Sequence, residues 1–126
     1  MLGGSDLAPF LATTDLDRAR EFFGDTLGME VVSQNPSVCV FAAPNGSLRV
    51  TRVESVDPQH YTVLGWWVDD IATTIDGLTE RGIAFERYAG FEQDERGVWQ
   101  APSGALIAWF KDPDGNMLSL GQDSGD

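Results

Sequence analysis

The chain has 126 residues, an apolar content of 42% and a formal net charge of −12, which together predict one soluble globular domain with a full hydrophobic core. The negative charge argues against nucleic-acid binding, which requires clustered Lys and Arg, and no apolar run approaches the length of a membrane span. The single cysteine, Cys39, excludes an internal disulfide and a multi-cysteine zinc site. The first residues lack the basic and apolar regions of a signal peptide, so we expect a cytoplasmic protein.

The first half of the sequence predicts a strand, a helix and three further strands. Residues 7–13 have the character of a short strand, and Thr14 or Asp15 then caps a helix. Gly28 is typical of a residue that ends a helix. The apolar residues between the cap and Gly28 recur at helical spacing, at Leu16, Ala19, Phe22, Phe23 and Leu27. Turn residues separate the strands predicted at 29–34, 38–42 and 47–53.

The second half repeats this order after a polar linker at 55–60. A strand at 61–68 precedes a cap at Asp69 or Asp70, and Gly82 ends the second helix. The distance in sequence between the two helix caps, Asp15 and Asp70, is nearly the same as that between the two helix stops, Gly28 and Gly82. This constant distance indicates a duplicated unit. Further strands are predicted at 83–88, 98–101, 105–111 and 117–120, with a polar loop at 89–95.

Four segments in this order resemble the vicinal oxygen chelate superfamily, which includes glyoxalases, bleomycin-binding proteins and extradiol dioxygenases. They are the helix start at 15–23, the helix stop at 27–29, the pair 68–71 and 81–83, and the turn Asp112-Pro113-Asp114-Gly115-Asn116. The resemblance covers about residues 7–122. It implies an α+β fold in which two β-α-β-β-β modules, at about 7–54 and 61–122 of a single domain, form a curved mixed sheet around a ligand cavity. It also implies a homodimer.

The resemblance further identifies where metal-using members carry their ligands. The two first-strand positions are occupied here by Ala8 and Val63, and the carboxylate position after the last turn is occupied by Ser119. None of these side chains is a credible ligand for a divalent cation, which prefers imidazole, carboxylate or thiolate. The sole histidine, His60, lies in the linker. We therefore expect no metal and no cofactor.

What remains is an aromatic cavity. Strand alternation directs Trp67 and Phe10 towards it and turns Trp66 and Phe110 into the core, and Trp99 and Trp109 are further candidates to line it. Arg49 and Arg52, three residues apart on one strand, point to opposite faces, so one of them could reach a ligand carboxylate. The charged loop at 92–96 could act as a lid.

The sequence thus favours metal-independent binding of a small aromatic or hydrophobic, possibly cationic, molecule, with drug or antibiotic sequestration as one form. The alternative is a lyase, isomerase or oxidoreductase of glyoxalase or dioxygenase type with a diverged site. A third reading is a regulatory or structural dimer with a vestigial cavity.

Overall fold

In a computed structural model that describes residues 1–125, the chain divides into two compact units, Met1–Pro58 and a second that begins at Gln59. Each unit contains one four-stranded mixed sheet and a helix that follows the first strand. This is the α+β fold with two β-α-β-β-β modules that the sequence predicts. No helix within residues 1–125 has the length and apolar character needed to cross a membrane.

The sheet of the first unit has the strand order β1-β4-β3-β2, with β1 parallel to β4 and the other pairs antiparallel. Helix α1 continues into a π-helical segment, and a short 3₁₀ turn, Leu2–Gly4, precedes the sheet. The elements are β1 (Phe10–Thr13), α1 (Leu16–Arg20), the π-helical segment (Glu21–Thr26), β2 (Val31–Gln34), β3 (Val38–Ala43) and β4 (Gly46–Arg52).

Local chemistry fixes the limits of α1. The Asp15 carboxylate accepts a hydrogen bond from the backbone N–H of Arg18, which satisfies one of the unpaired donors at the helix start. Gly28 follows the helical segment with φ +79°, a conformation that a side chain would disfavour. The apolar stripe is buried except at Leu27, which is half-buried, and the ring centroids of Phe23 and Phe41 lie 5.8 Å apart, so the predicted face does anchor the helix on its sheet.

The sheet of the second unit has the equivalent order β5-β8-β7-β6, with β5 parallel to β8. Asp70 caps the helix of this unit by accepting from the N–H of Thr73, and Gly82 beyond its end has φ +94°. The elements are β5 (Leu64–Trp67), α2 (Ile71–Glu80), β6 (Trp99–Gln100), β7 (Leu106–Lys111) and β8 (Met117–Gln122).

Alternation along these strands separates a buried face from an open one. The register places Trp66 beside Leu120 and Leu118 beside Phe110 on the buried face, where the Trp66 and Phe110 rings stack with centroids 6.2 Å apart. The other face, which we call the open face, carries residues 65 and 67 of β5, then 117, 119 and 121 of β8, then 107, 109 and 111 of β7, and finally Trp99 of β6; Met117 and Gly121 on it are themselves buried. Trp66 and Phe110 therefore lie on the buried face and Trp67 and Trp109 on the opposite one, while the predicted role of Trp67 and Trp109 in lining a ligand cavity stays a prediction.

One predicted strand does not form. Residues 83–88 have no regular secondary structure, and the strand predicted at 98–101 contracts to the two residues of β6. The reason is that the two segments compete for one edge of β7. Trp99 and Gln100 pair with the start of β7. Further along this edge, Glu86 makes a single bond, which its N–H donates to the Trp109 carbonyl at 2.8 Å. The chain between these two attachments leaves the sheet as a loop.

The turn between β7 and β8 is organised by Asp112, whose side chain is only 6% exposed. Its carboxylate accepts hydrogen bonds from the backbone N–H groups of Asp114 and Asn116 and from the Asn116 side-chain amide. Gly115 takes φ +89° and donates its N–H to the Asp112 carbonyl, which closes the turn. Burial nevertheless raises the pKa of the Asp112 carboxyl, and the hydrogen bonds offset this only in part.

Candidate functional site

Four aromatic rings at the β6–β7 side of the second sheet form one continuous cluster, which we call the aromatic wall: Tyr88, Phe91, Trp99 and Trp109. Phe91 stacks on Trp109 with centroids 5.6 Å apart and planes inclined by 20°, and it lies 5.1 Å from Trp99. Tyr88 meets Phe91 and Trp109 edge-on, at 6.2 and 5.5 Å. Phe91 is still 45% exposed. Stacking this many rings with one left open to solvent is typical of a surface for planar apolar molecules.

Two of the rings come from the loop at 88–98, whose conformation depends on the side chain of Gln93. The Gln93 Nε2 group donates to the carbonyls of Glu86 and Gly97, at 3.0 and 2.8 Å, and Oε1 accepts from the N–H of Tyr88 at 2.8 Å. One amide therefore connects the beginning of the loop to its end. Because both donors and one acceptor of this amide are used, it holds Phe91 over Trp109.

A second set of contacts fixes the outer part of the same loop. Asp94 Oδ1 accepts from the N–H groups of Arg96 and Val98, both at 2.9 Å. The Arg96 guanidinium forms a two-point ion pair with Asp76 on α2, at 2.9 and 3.0 Å, and Arg87 donates to the carbonyl of Asp94 at 2.8 Å. These bonds tie the outer part of the loop to its own backbone and to α2, and the lid role expected for 92–96 stays a prediction.

The aromatic wall borders a cleft of about 270 Å³, near the lower limit of ligand pockets. Tyr88, Phe91 and Trp109 line one part of this aromatic cleft, and the remainder is lined by Met117 and residues 60–62. Trp99 supports Phe91 and Trp109 through ring contacts.

Two phenols, Tyr61 and Tyr88, line the aromatic cleft, and the hydroxyl of Tyr88 has a defined partner there. The Tyr88 hydroxyl donates to the Met117 sulfur at 3.0 Å. Partial burial raises the pKa of the Tyr88 phenol, and the nearby Glu86 carboxylate raises it further, so the hydroxyl keeps its proton at neutral pH. Glu86 in turn lies 3.5 Å from the Lys111 ammonium, which neutralises much of its charge.

Trp67 lies on the same open face as Trp109 but two strands away. Its ring lies directly against Gly121: a Cβ added at position 121 would stand 2.9 Å from the indole. Trp67 is 73% exposed. Small residues, Gly65 and Ser119, occupy the open face between Trp67 and Trp109. They lie so close together that a Cβ added at Gly65 would stand 2.6 Å from the Ser119 hydroxyl.

The remaining predicted site residues belong to the first unit. Phe10 and Arg49 are paired across β1 and β4, and the Arg49 guanidinium carbon lies 5.8 Å from the Phe10 ring centroid. Arg52 points to the other side, as predicted, where its Nε donates to the Pro36 carbonyl at 3.2 Å, beside a polar groove that Asp15 and Asn35 also line. The two arginines are therefore not brought together.

The residues at the family's metal positions do not fit a cation. Ala8 and Val63 carry no donor atom, and Ser119 offers a hydroxyl that packs against Gly65. Among residues 1–125, no three His, Cys, Asp or Glu side chains are grouped so that they could hold a metal. These three side chains therefore do not support a catalytic step through a metal.

Tyr88 and Phe91 were missed by the sequence analysis, which assigned one to a strand and the other to a polar loop. Phe91 is the sole apolar residue between Gly90 and Gly97. An isolated aromatic residue in a charged loop is the signal that could have drawn attention to it, since loops carry a disproportionate share of binding residues.

Two sheets, each built as strand–helix–strand–strand–strand with its first and last strands parallel, define the class of duplicated β-α-β-β-β proteins. Within that class the chain belongs to the Glyoxalase/Bleomycin resistance protein/Dioxygenase superfamily, whose family model matches residues 7–120. The match covers nearly the whole chain and confirms the resemblance drawn from the sequence. No curated protein matches the chain significantly.

Several solved structures share the fold. An antibiotic binding protein, TnmS3 from Streptomyces sp. CB03234, is 24% identical with a TM-score of 0.75, and the match covers 98% of this chain and 99% of that one. A superfamily member from Sphaerobacter thermophilus is 22% identical, with a TM-score of 0.74 over 98% and 100% of the two chains. A lactoylglutathione lyase from Agrobacterium tumefaciens is 21% identical, with a TM-score of 0.71 over 96% and 95%. The same fold therefore occurs in an antibiotic binding protein and in a lactoylglutathione lyase.

Proposed function

We propose that this protein binds a small planar aromatic or hydrophobic molecule in the aromatic cleft, without a metal, and that sequestration of a drug or antibiotic is one form of this activity. The observation that carries the proposal is the stacked pair Phe91–Trp109, which is supported by Trp99 and borders a cleft of about 270 Å³. A hydrophobic core would bury such rings, whereas here Phe91 remains 45% exposed.

Preorganisation is the second support. Binding is weakened when a loop must be ordered, and the loop at 88–98 is already held by the Gln93 amide and by the Arg96–Asp76 ion pair. A ligand can then use its stacking and burial energy for affinity. The likeness to TnmS3 is one of fold, and it agrees with this proposal without identifying the ligand.

The test is titration of the purified protein with two-ring aromatic probes, followed by quenching of tryptophan fluorescence and by calorimetry. Phe91→Ala and Trp109→Ala should each weaken binding by about 1–3 kcal/mol, the value of a large ring buried against a ligand. Val32→Ala, which truncates a side chain that is 59% exposed in the first unit, is the control and should bind as the wild type does. Thermal unfolding of each variant separates lost binding from lost stability.

Metal independence has its own measurement. Elemental analysis of dialysed protein should give well under one equivalent of zinc, iron, nickel or manganese per chain, and a chelator should leave the unfolding temperature unchanged. A stoichiometric metal whose removal destabilises the protein would favour the rival function, an enzyme of glyoxalase or dioxygenase type with altered ligands.

A further inference from the structure

The hydroxyl group of Tyr88 is a hydrogen-bond donor whose present partner is a weak acceptor. It donates to the thioether sulfur of Met117 at 3.0 Å, and a thioether is among the weakest acceptors in proteins. Both residues line the aromatic cleft. A ligand oxygen that replaced the sulfur as acceptor would therefore gain a stronger hydrogen bond than the one it breaks.

The position of this hydroxyl is fixed from two sides. The Tyr88 ring meets Trp109 and Phe91 edge-on, with interplanar angles of 80° and 84°. Its backbone N–H donates to Gln93 Oε1 at 2.8 Å. Because the ring and the backbone are both held, the phenol offers its proton at one place relative to the stacked rings, and little conformational entropy is lost when a ligand accepts it.

The charged groups around Tyr88 keep it a donor. Glu86 disfavours the phenolate, and Lys111 lies 3.5 Å from the Glu86 carboxylate, so the pair leaves little net charge beside the phenol. At neutral pH the group therefore acts as a neutral hydroxyl and does not attract or repel ions strongly.

We infer that the Tyr88 hydroxyl selects, among planar aromatic ligands, those that carry a hydrogen-bond acceptor such as a carbonyl oxygen at the ring edge. The inference rests on the proposed function, because it assumes that the ring system of the ligand occupies the aromatic cleft. It assigns two roles to the site: Phe91 and Trp109 supply affinity for the ring system, and Tyr88 supplies discrimination between ring substituents.

The experiment compares two probes of nearly identical shape, 2-acetylnaphthalene and 2-isopropenylnaphthalene, which differ in having C=O or C=CH₂ at the same place. Each is titrated into the wild type and into Tyr88→Phe. The wild type should prefer the acetyl probe, after correction for their partition between water and octanol. Tyr88→Phe should weaken the acetyl probe about five- to tenfold, in line with one net hydrogen bond, and leave the isopropenyl probe unchanged.

The outcomes separate the two claims. If neither probe binds the wild type, the proposed function fails. If both bind and Tyr88→Phe affects them equally, the rings bind ligands and the role of the hydroxyl is overturned. Should the variant not fold, infrared spectra of the carbonyl-labelled acetyl probe on the wild type decide: a stretch shifted to lower frequency supports the hydrogen bond, and a stretch equal to that in an apolar solvent refutes it.

Discussion

Replacing Gln93 by Glu tests whether one side-chain amide determines the shape of the aromatic cleft. The two side chains have the same size, but a carboxylate cannot donate, so the bonds to the carbonyls of Glu86 and Gly97 are lost while the acceptor for Tyr88 remains. Two net hydrogen bonds of about 1 kcal/mol each give a loss of about 2 kcal/mol for the loop. That loss corresponds to a roughly 30-fold shift towards loop opening.

Near-ultraviolet circular dichroism reports the result, because the coupled rings of Phe91, Trp99 and Trp109 give a signal that depends on their stacking. We expect Gln93→Glu to reduce this signal and to weaken probe binding at neutral pH. Hydrogen exchange should become faster at 88–98, while β7 and β8 keep their protection. Gln100→Glu makes the same charge change at an exposed position of β6 and should behave as the wild type does.

Lowering the pH should partly rescue Gln93→Glu. Facing two carbonyl oxygens, the introduced carboxyl would have a folded-state pKa above its unfolded value of about 4.3. The folded state then binds the proton more tightly, so the part of the penalty that is due to the charge is complete above the folded pKa and is lost as the pH falls towards the unfolded value, while one carbonyl still lacks a donor. A variant with wild-type dichroism and exchange at neutral pH, or with a deficit independent of pH, would refute the reasoning.

Three further predictions follow from other parts of the molecule. Light scattering at micromolar concentration should give twice the chain mass, since exposed strand edges and apolar faces need cover; a monomer at high concentration contradicts this. Cationic aromatic probes should bind better than anionic ones at low salt, because the chain carries a net charge of −12, and the difference should fade with added salt; a preference for anions would contradict this. Because burial raises the pKa of the Asp112 carboxyl, the contribution of Asp112 to stability should fall as the pH rises from about 3.8 through the raised pKa. The difference in unfolding free energy between the wild type and Asp112→Asn, measured by urea unfolding, should therefore change over this pH range. A difference that is constant with pH would contradict the prediction.

Local rules account for the parts of the fold that the sequence predicted. Asp15 and Asp70 cap helices because a carboxylate one residue before a helix satisfies its free N–H groups, whatever lies elsewhere in the chain. Gly28 and Gly82 end them because only glycine takes positive φ without cost. The faces of Trp66 and Trp67 followed from alternation, which depends only on neighbours in the sequence.

The aromatic wall could not be predicted in the same way. Residues 83–88 have the composition of a strand, but the edge of β7 that they would need is shared with β6, and that competition is visible only in three dimensions. The loop conformation then depends on bonds from Gln93 to residues four and seven positions away, which no periodicity reveals. Phe91 reaches Trp109 as a result of both.

The absence of a side chain at Gly121 links two positions in the evolution of this chain. The Trp67 indole occupies the volume that a Cβ at position 121 would need, with its nearest ring atoms at 2.9 and 3.0 Å. A methyl group there would push the ring aside, which the 73% exposure of Trp67 allows, so a larger residue at 121 should be tolerated with a new orientation of the indole. Substitutions at positions 121 and 67 should therefore influence one another.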